Sequence, residues 1–584
     1  MTEEAKNKQL IERAKNLKNK RDELIALEPG KALNRILDDS RAVELVHSFP
    51  EQDLYLLVHD IGPESALSIL SLASNRQWEH IVDLEAWQKD RLDNTSVTRW
   101  MYLLLQADPQ RFMRWALEEK LEFIELYLFN NIEVRVREHD QDPSEFGDGF
   151  FSLDDTYYIR FLEQPANSDS EKLTDEQRKH FIHELTQRLS SFGHPIYQKI
   201  LLEAVHVIPA ETEEERYHWR NVRLAEKGFL PFDEAVGIYQ PLTPRDFKGT
   251  ISEPESNVSH DSVAPPVSQY PINLLQQDND FTRALTSINS ESILQKAQIE
   301  FANLCNQIIV ADHKTIRERE GLREIVKKAC GYIGIGLQRL QDDPQKAEAQ
   351  PAAVVIGKYP LAHIFKVGFG GALELKWRTE KWLSQSWFTQ AGLQLTFRGE
   401  KWLGVLGGLL IKKPLYHDNY ETGVLYREFS TLDEIRDTEK TLDQIKAVDD
   451  LFSLMTIHLG RPSSYGFLTY KNLMLTLWVS HCLGISTEML KPLLLKQFLP
   501  FFKDLLPEDP HLAPDQARQV PLVMKESFIN WLSDDTGLQD FEITEKVGQT
   551  FEDLFIEIEN EFGRVAAANL DPRYVQLFLL ESKE

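Results

Sequence analysis

The chain has 584 residues, 42% hydrophobic and 10% aromatic, which is too long for a single core and too apolar for global disorder. Lys and Arg number 65 against 92 Asp and Glu, a net charge of −27. A surface of that sign repels phosphate backbones and anionic lipid, so bulk nucleic-acid and membrane-surface binding are disfavoured, while basic partners and divalent cations are not.

Length alone predicts about two to four domains. Cys305, Cys330 and Cys482 lie far apart and form no CxxC, which excludes a disulfide framework and fits a reducing compartment. The start, Met1-Thr2-Glu3-Glu4-Ala5-Lys6, is charged and leads into no apolar signal region. The longest weakly polar run, Trp402 to Ile411, is about half the length of a membrane-spanning helix. A cytoplasmic location with no membrane span is expected.

Residues 3–27 carry Leu10, Ala14, Leu17 and Leu24 at near-helical spacing, and Pro29-Gly30 stops the run, so 1–30 reads as an N-terminal amphipathic helix. From 31 to 131 the pattern is short helices with explicit punctuation. Pro50, Glu51 and Asp53 open one that ends at Gly62-Pro63. Ser74 and Gln77 form a capping-box pattern, and Asp108-Pro109 is a cap followed by a first-turn proline. None of these helices buries its apolar face alone, and stacked neighbours do, so a helical-repeat region is expected. At 132–165 the period becomes strand-like, and a β-hairpin insertion with an acidic loop is predicted. Helices continue over 166–240 from a cap at Thr174. A Pro/Ser-rich linker spans 241–272, and 273–584 forms a second, mainly helical domain. The predicted fold is mainly α: stacked short helix hairpins, a small β-hairpin insertion and a second helical domain.

Catalytic templates fail at named positions. Gly357-Lys358 has Ala352 where a phosphate loop needs glycine, and Gly368-Phe369-Gly370-Gly371 is followed by Leu373 where a dinucleotide loop needs one. Gly331, Gly334 and Gly336 have the wrong order of spacings. An EF-hand counted from Asp140 would need Gly and Glu where Glu145 and Phe151 stand, which leaves a weaker oxygen-ligand site from Asp140, Asp142 and Asp148 as the candidate metal position. His180 and His183 share a helix face but lack the further ligands zinc requires. Cys482 follows His481 in an apolar stretch and reads as a buried structural thiol.

One segment departs from the acidic background. Between Gly357 and Lys413 stand nine basic and three acidic side chains, a local net of +6, with four tryptophans. Lys358, Lys366, Lys376, Trp377, Arg378, Lys381, Trp382, Arg398 and Lys401 are therefore the candidate binding residues, through charge and stacking. The alternative is that the tryptophans are core and the cations pair with the acidic remainder.

Several phrases carry a family resemblance. They include Asp83-Leu84-Glu85-Ala86-Trp87, Arg223-Leu224-Ala225-Glu226-Lys227-Gly228-Phe229, Phe365-Lys366-Val367-Gly368-Phe369-Gly370 and Leu570-Asp571-Pro572-Arg573-Tyr574. From about residue 32 to 580 the chain resembles a family of uncharacterised bacterial proteins, a domain of unknown function. That resemblance implies no catalytic residue and no cofactor. The helices of 32–131 are also similar in pattern to the cytosolic N-terminal domain of MgtE-type magnesium transporters, a stack of short helices. Three functional readings follow. The first is a non-enzymatic protein-interaction or scaffold protein, its partner another protein. The second is a ligand or divalent-cation sensor. The third is an enzyme of a type that no short motif reveals. Partner identity and oligomeric state stay open.

Overall fold

The computed structural model describes residues 3–88, 90–163, 174–206, 209–246, 268, 270–275, 279–341, 351–459, 467–487, 489–508 and 516–581. The fold is mainly helical, with repeated helix hairpins and small inserted β-elements. The chain forms two compact units, Met1–Ile333 with Leu340–Lys366, and Gly334–Arg339 with Val367–Glu584.

The first unit begins with α1 (Glu3–Ala26), α2 (Pro29–Leu37), α3 (Ala42–His47), α4 (Glu51–Ile61), α5 (Leu67–Leu72) and α6 (Asn75–Glu85). A two-stranded ribbon, β1 (Trp87–Gln88) and β2 (Arg91–Leu92), leads to α7 (Asn94–Ala107), α8 (Pro109–Glu118) and α9 (Leu121–Asn131). The capping signals act where the sequence places them. Ser74 and Gln77 exchange both capping-box bonds at the start of α6, and Asp108 accepts from the Arg111 N–H with Pro109 in the first turn of α8. Pro50 stands one residue earlier than expected, as the N-cap of α4, and Gly62 at φ 95° ends that helix. Helix α4 is buried over seven consecutive residues, Gln52 to Val58, because its neighbours cover it on every side. Its polar residues are therefore paired. Gln52 meets His80, Tyr55 donates to Glu85 at 2.6 Å, and Asp53 accepts from the Ser268 hydroxyl and the Tyr270 N–H.

The expected hairpin is a three-stranded antiparallel sheet, β3 (Ile132–Val136), β4 (Phe151–Ser152) and β5 (Tyr157–Phe161), in the order β3-β5-β4. Ile132 pairs with Phe161 and Phe151 with Ile159. The short β4 carries only two residues, too few to show an alternating pattern. The buried Arg178 of α10 (Asp175–Phe192) fastens the sheet, donating to Asn131 Oδ1 and the Leu162 carbonyl. After α11 (His194–His206), α12 (Pro209–Ala225) returns to α6, where Arg223 grips Asp83 through two bonds of 2.7 and 2.8 Å. Most of the 241–272 stretch expected as a linker lies outside the described residues. Its end belongs to the first unit, held at Asp53 and at Asp60, which accepts from the Tyr270 hydroxyl. The unit continues through α13 (Phe232–Ala235), α14 (Tyr270–Asn273), α15 (Asp280–Thr286), α16 (Glu291–Ala311), most of α17 (Arg319–Gln341) and α18 (Ala352–Lys358) to the first turns of α19 (Leu361–Leu383).

The second unit contains the rest of α19, then α20 (Trp387–Gln390), α21 (Gly399–Leu410), a hairpin of β6 (Tyr416–His417) and β7 (Tyr426–Arg427), and α22 (Leu432–Leu454). It ends with α23 (Tyr470–Cys482), β8 (Leu493–Leu494), α24 (Leu495–Leu505), α25 (Leu522–Thr536), α26 (Asp540–Phe562) and β9 (Leu580–Glu581), which pairs parallel with β8. Its core is aromatic. Trp478 takes Phe501, Phe528 and Phe555 edge-on at centroid distances of 4.9 to 6.3 Å. Among the described residues no single helix is long and apolar enough to cross a membrane. One pair, α18 with α19, passes by composition only together, bent by 119°.

In the first unit Glu85 is buried, accepts from Tyr55 and Arg317, and lies 3.3 Å from His59 Nε2. Burial alone would raise its carboxyl. The His59 contact, the Arg317 charge and the Tyr55 hydroxyl outweigh it and hold the group at about 2. The folded value lies below the unfolded one, so the stability it contributes is complete above the ordinary 4.5 and is lost as pH falls towards 2. Glu85→Gln is expected to cost about 2–3 kcal/mol at neutral pH in urea unfolding, with the gap to wild type closing between those two pH values. A gap that stays constant with pH would contradict this account.

Candidate functional site

A cleft in the second unit holds about 710 Å³. Helix α21 supplies Glu400 and Lys401, the β6–β7 hairpin His417, Asn419 and Glu421, α22 Asp437, α23 Lys471 and α26 Glu557. Lys471 and Glu557 are ion-paired. The cleft thus draws polar side chains from five elements.

The hairpin sits where it does because α21 presents glycine. Residues 404, 407 and 408 share one helix face. A Cβ on Gly404 would fall 2.2 Å from His417 Nε2, and one on Gly408 2.5 Å from the Leu415 carbonyl oxygen. The Tyr426 hydroxyl donates to the Gly404 carbonyl at 3.0 Å. The hairpin turn is tight, with Asn419 and Tyr420 at φ 49° and 65°. Its buried Asp418 accepts from the Thr422 N–H and hydroxyl and from Arg427 Nε, and Arg427 reaches on to Glu434 of α22. His417 is thereby laid against the α21 backbone with one face to the cleft. Burial lowers its imidazole below the ordinary value, opposed by Asp418 and Glu400, so it is neutral at neutral pH.

Next to the cleft lies a smaller cavity of about 140 Å³, lined by Arg398, Trp402, Gln444, Tyr470, Thr550 and Asp553. It shares Gly399, Glu400, Lys401, Lys471 and Glu557 with the cleft, so the two have a common wall. Arg398 is fully buried, ion-paired with Asp449 of α22, and faced by Phe388, Trp382 and Phe397 at 4.5, 5.0 and 5.7 Å. Asp449 also accepts from the Trp387 and Phe388 N–H groups at the start of α20.

The basic, tryptophan-rich segment therefore falls in several environments. Lys376 donates to the Leu410 and Ile411 carbonyls at the end of α21, and Arg378 pairs with Glu439 and Asp443 of α22. Arg398 is interior and presents no charge to a surface. Trp382 packs against the core, and Trp402 lies within it, stacked on Tyr470 at 4.3 Å. Lys366 of α19 is half-buried, and Lys358 closes α18. Trp377 and Lys381 share an exposed face of α19. Of the nine candidate binding residues, Arg398 and Lys401 line the cleft or the smaller cavity, together with Trp402 of the same segment. The glycine motifs are not loops: 331, 334, 336 and 368–371 lie inside α17 and α19.

The acidic loop does not assemble a metal centre. Among the described residues no group of three or more His, Cys, Asp or Glu is placed to hold a metal ion, so Asp140, Asp142 and Asp148 do not converge. Asp142 instead caps the short Pro143–Phe146 turn, accepting from the Ser144 N–H and hydroxyl. Cys482 is exposed, near Ser527, and not the buried thiol its apolar neighbours suggest, because it falls in the last turn of α23 beyond the packed face. Cys305 and Cys330 are the buried pair, and burial pushes the Cys330 thiol up to about 12.

A model for a family of unknown function, DUF6178, matches residues 9–581. The chain belongs to this family. No curated protein and no solved structure matches it. The likeness of the N-terminal helices to the MgtE-type cytosolic domain finds no support in these comparisons, since short stacked helices with proline and glycine stops are a general pattern.

Two variants check the geometry. Gly404→Ala is expected to cost about 1–3 kcal/mol and to drive His417 from its seat, so that its imidazole titrates nearer the ordinary value in NMR. Asp449→Asn strands a buried guanidinium and should cost about 3–5 kcal/mol, with the double variant Arg398→Met, Asp449→Asn less destabilised in urea unfolding than Asp449→Asn alone.

Proposed function

We propose that the protein is a binding protein whose second-unit cleft takes a small polar ligand, the sensor reading among those the sequence left open. The observation that carries it is the cleft itself. Its volume of about 710 Å³ lies within the range of small-molecule sites, and its wall is made of charged and polar side chains brought together from five elements. A cation as the primary ligand has no geometric support among the described residues. The enzyme reading would centre on neutral His417, and turnover of a bound compound would favour it. A cytoplasmic location, expected from charge and cysteine usage, belongs to this proposal.

The scaffold reading rests on a different observation. Leu522 and Val523 at the start of α25 and Phe541 at the start of α26 are 74%, 72% and 68% exposed, which is costly for large apolar side chains unless something covers them.

Thermal melts of the full chain with millimolar amino acids, nucleotides, sugars and carboxylates test the cleft, because ligand binding to the native state raises stability. At least one class is expected to raise Tm, and His417→Ala with Asp437→Ala is expected to abolish the shift. A panel without any shift removes the cleft reading and leaves the apolar helix starts as the feature to pursue.

A further inference from the structure

A groove of about 540 Å³ runs between α25 and α26. The two helices are antiparallel, since the Val520 N–H donates to Glu559 and Lys525 pairs with Glu552. On α25 positions 522, 526 and 529 share one face, and on α26 positions 541, 544, 548, 552 and 555 do. Ile529, Phe551 and Phe555 line the groove. The exposed Leu522 and Phe541 stand at its opposite ends. From 541 to 555 the α26 face is roughly 21 Å long, enough for four turns of a helix laid along it.

The middle of this face is Gly548. Glycine weakens a helix interior, so its presence there calls for something that approaches closely. Nothing in the protein does. A Cβ on Gly548 would meet only Thr544 of its own helix, at 3.2 Å, and among the described residues no other element comes within 4 Å. Bare backbone and large exposed apolar side chains thus lie on one face that the chain leaves uncovered.

The groove's chemistry narrows the occupant. Lys525 is already paired with Glu552 and lies over the Phe555 ring. Glu526 and Asp540 have no cation against them among the described residues, so acids exceed bases along the walls. Anionic lipid is repelled, and so is a second copy of a chain with a net charge of −27. A groove between two helices offers no free backbone row to an extended strand, whereas a helix satisfies its own backbone.

We propose that the α25–α26 groove docks a basic amphipathic helix of a protein partner. Its apolar stripe lies against Leu522, Phe555 and Phe541, its backbone passes over Gly548, and its lysines or arginines meet Glu526 and Asp540. This rests on the scaffold reading of the exposed helix starts and is independent of the cleft.

Fluorescence anisotropy of the full chain with a lysine–leucine peptide of about 18 residues, its leucines on one helix face, tests it. One control peptide has the same residues with the leucines spread around the helix, and another carries glutamate in place of lysine. The amphipathic lysine peptide is expected to bind, and both controls about tenfold or more weakly. Gly548→Glu adds a negative charge, so attraction by charge alone would tighten binding. Docking over bare backbone predicts about a tenfold loss instead. Leu522→Ser with Phe541→Ser changes two exposed side chains, and is expected to keep the wild-type Tm while weakening the peptide about tenfold. A peptide that binds wild type and both variants alike, or a glutamate peptide that binds as well as the lysine one, overturns the proposal. So does a dimer in sedimentation, or binding to phosphatidylcholine vesicles, that the Leu522→Ser, Phe541→Ser variant abolishes. In those two cases the helix starts remain a contact surface with another occupant. If no peptide, copy or vesicle responds to that variant, the scaffold reading falls as well.

Discussion

Asp449 holds α20, α21 and α22 of the second unit together through one carboxylate with three donors. It caps the short helix α20 through the Trp387 and Phe388 N–H groups and pairs with the buried Arg398 that leads into α21. Helices α20, α21 and α22 are thereby fixed to one another at a point that excludes water. The aromatic faces around the guanidinium compensate part of its lost hydration, and burial still pushes Arg398 below the ordinary arginine range, with Asp449 opposing. The cleft depends on this knot, because α21 carries both its charged rim and the glycine face that receives the hairpin.

The sequence singled out this segment and left two readings of its charge. The +6 island at 357–413 stood out against an acidic chain, and its cations suited either a ligand from outside or pairing with the acidic remainder. Much of the answer is internal. Arg378 finds Glu439 and Asp443, Arg398 finds Asp449, and all three acids sit on the acidic helix α22. Charge complementarity between segments about 50 to 65 residues apart cannot be read from local composition. Helices with strong caps were legible, as at Ser74, Asp108 and Thr174, because a cap is a local bond. The two-residue strand β4 was not, because its partner supplies the geometry.

The glycines teach a related lesson. Motif tests asked whether glycines formed phosphate loops, and those at 368–371 and 331–336 proved helical. The informative ones were 404, 407 and 408, whose spacing of three and four puts bare backbone on one side of α21. That spacing is visible in the sequence. Its meaning is not, since only the approach of His417, Tyr426 and the Leu415 carbonyl shows what the missing Cβ atoms make room for.

Both units bury charged side chains, and the two groups differ in how their hydrogen bonds are satisfied. Glu85 in the first unit accepts from Tyr55 and Arg317 with His59 close by, and its depressed pKa shows that its ionised form is well compensated. Such a group stabilises the fold and leaves nothing for a ligand. Arg398 is buried as deeply, and two of its nitrogens lie without hydrogen-bond partners, with the rings of Phe388, Trp382 and Phe397 around the guanidinium. Burial and charge are common to both, so neither marks a site. What distinguishes them is the kind of compensation: hydrogen bonds from Tyr55 and Arg317 for Glu85, one ion pair and aromatic faces for Arg398.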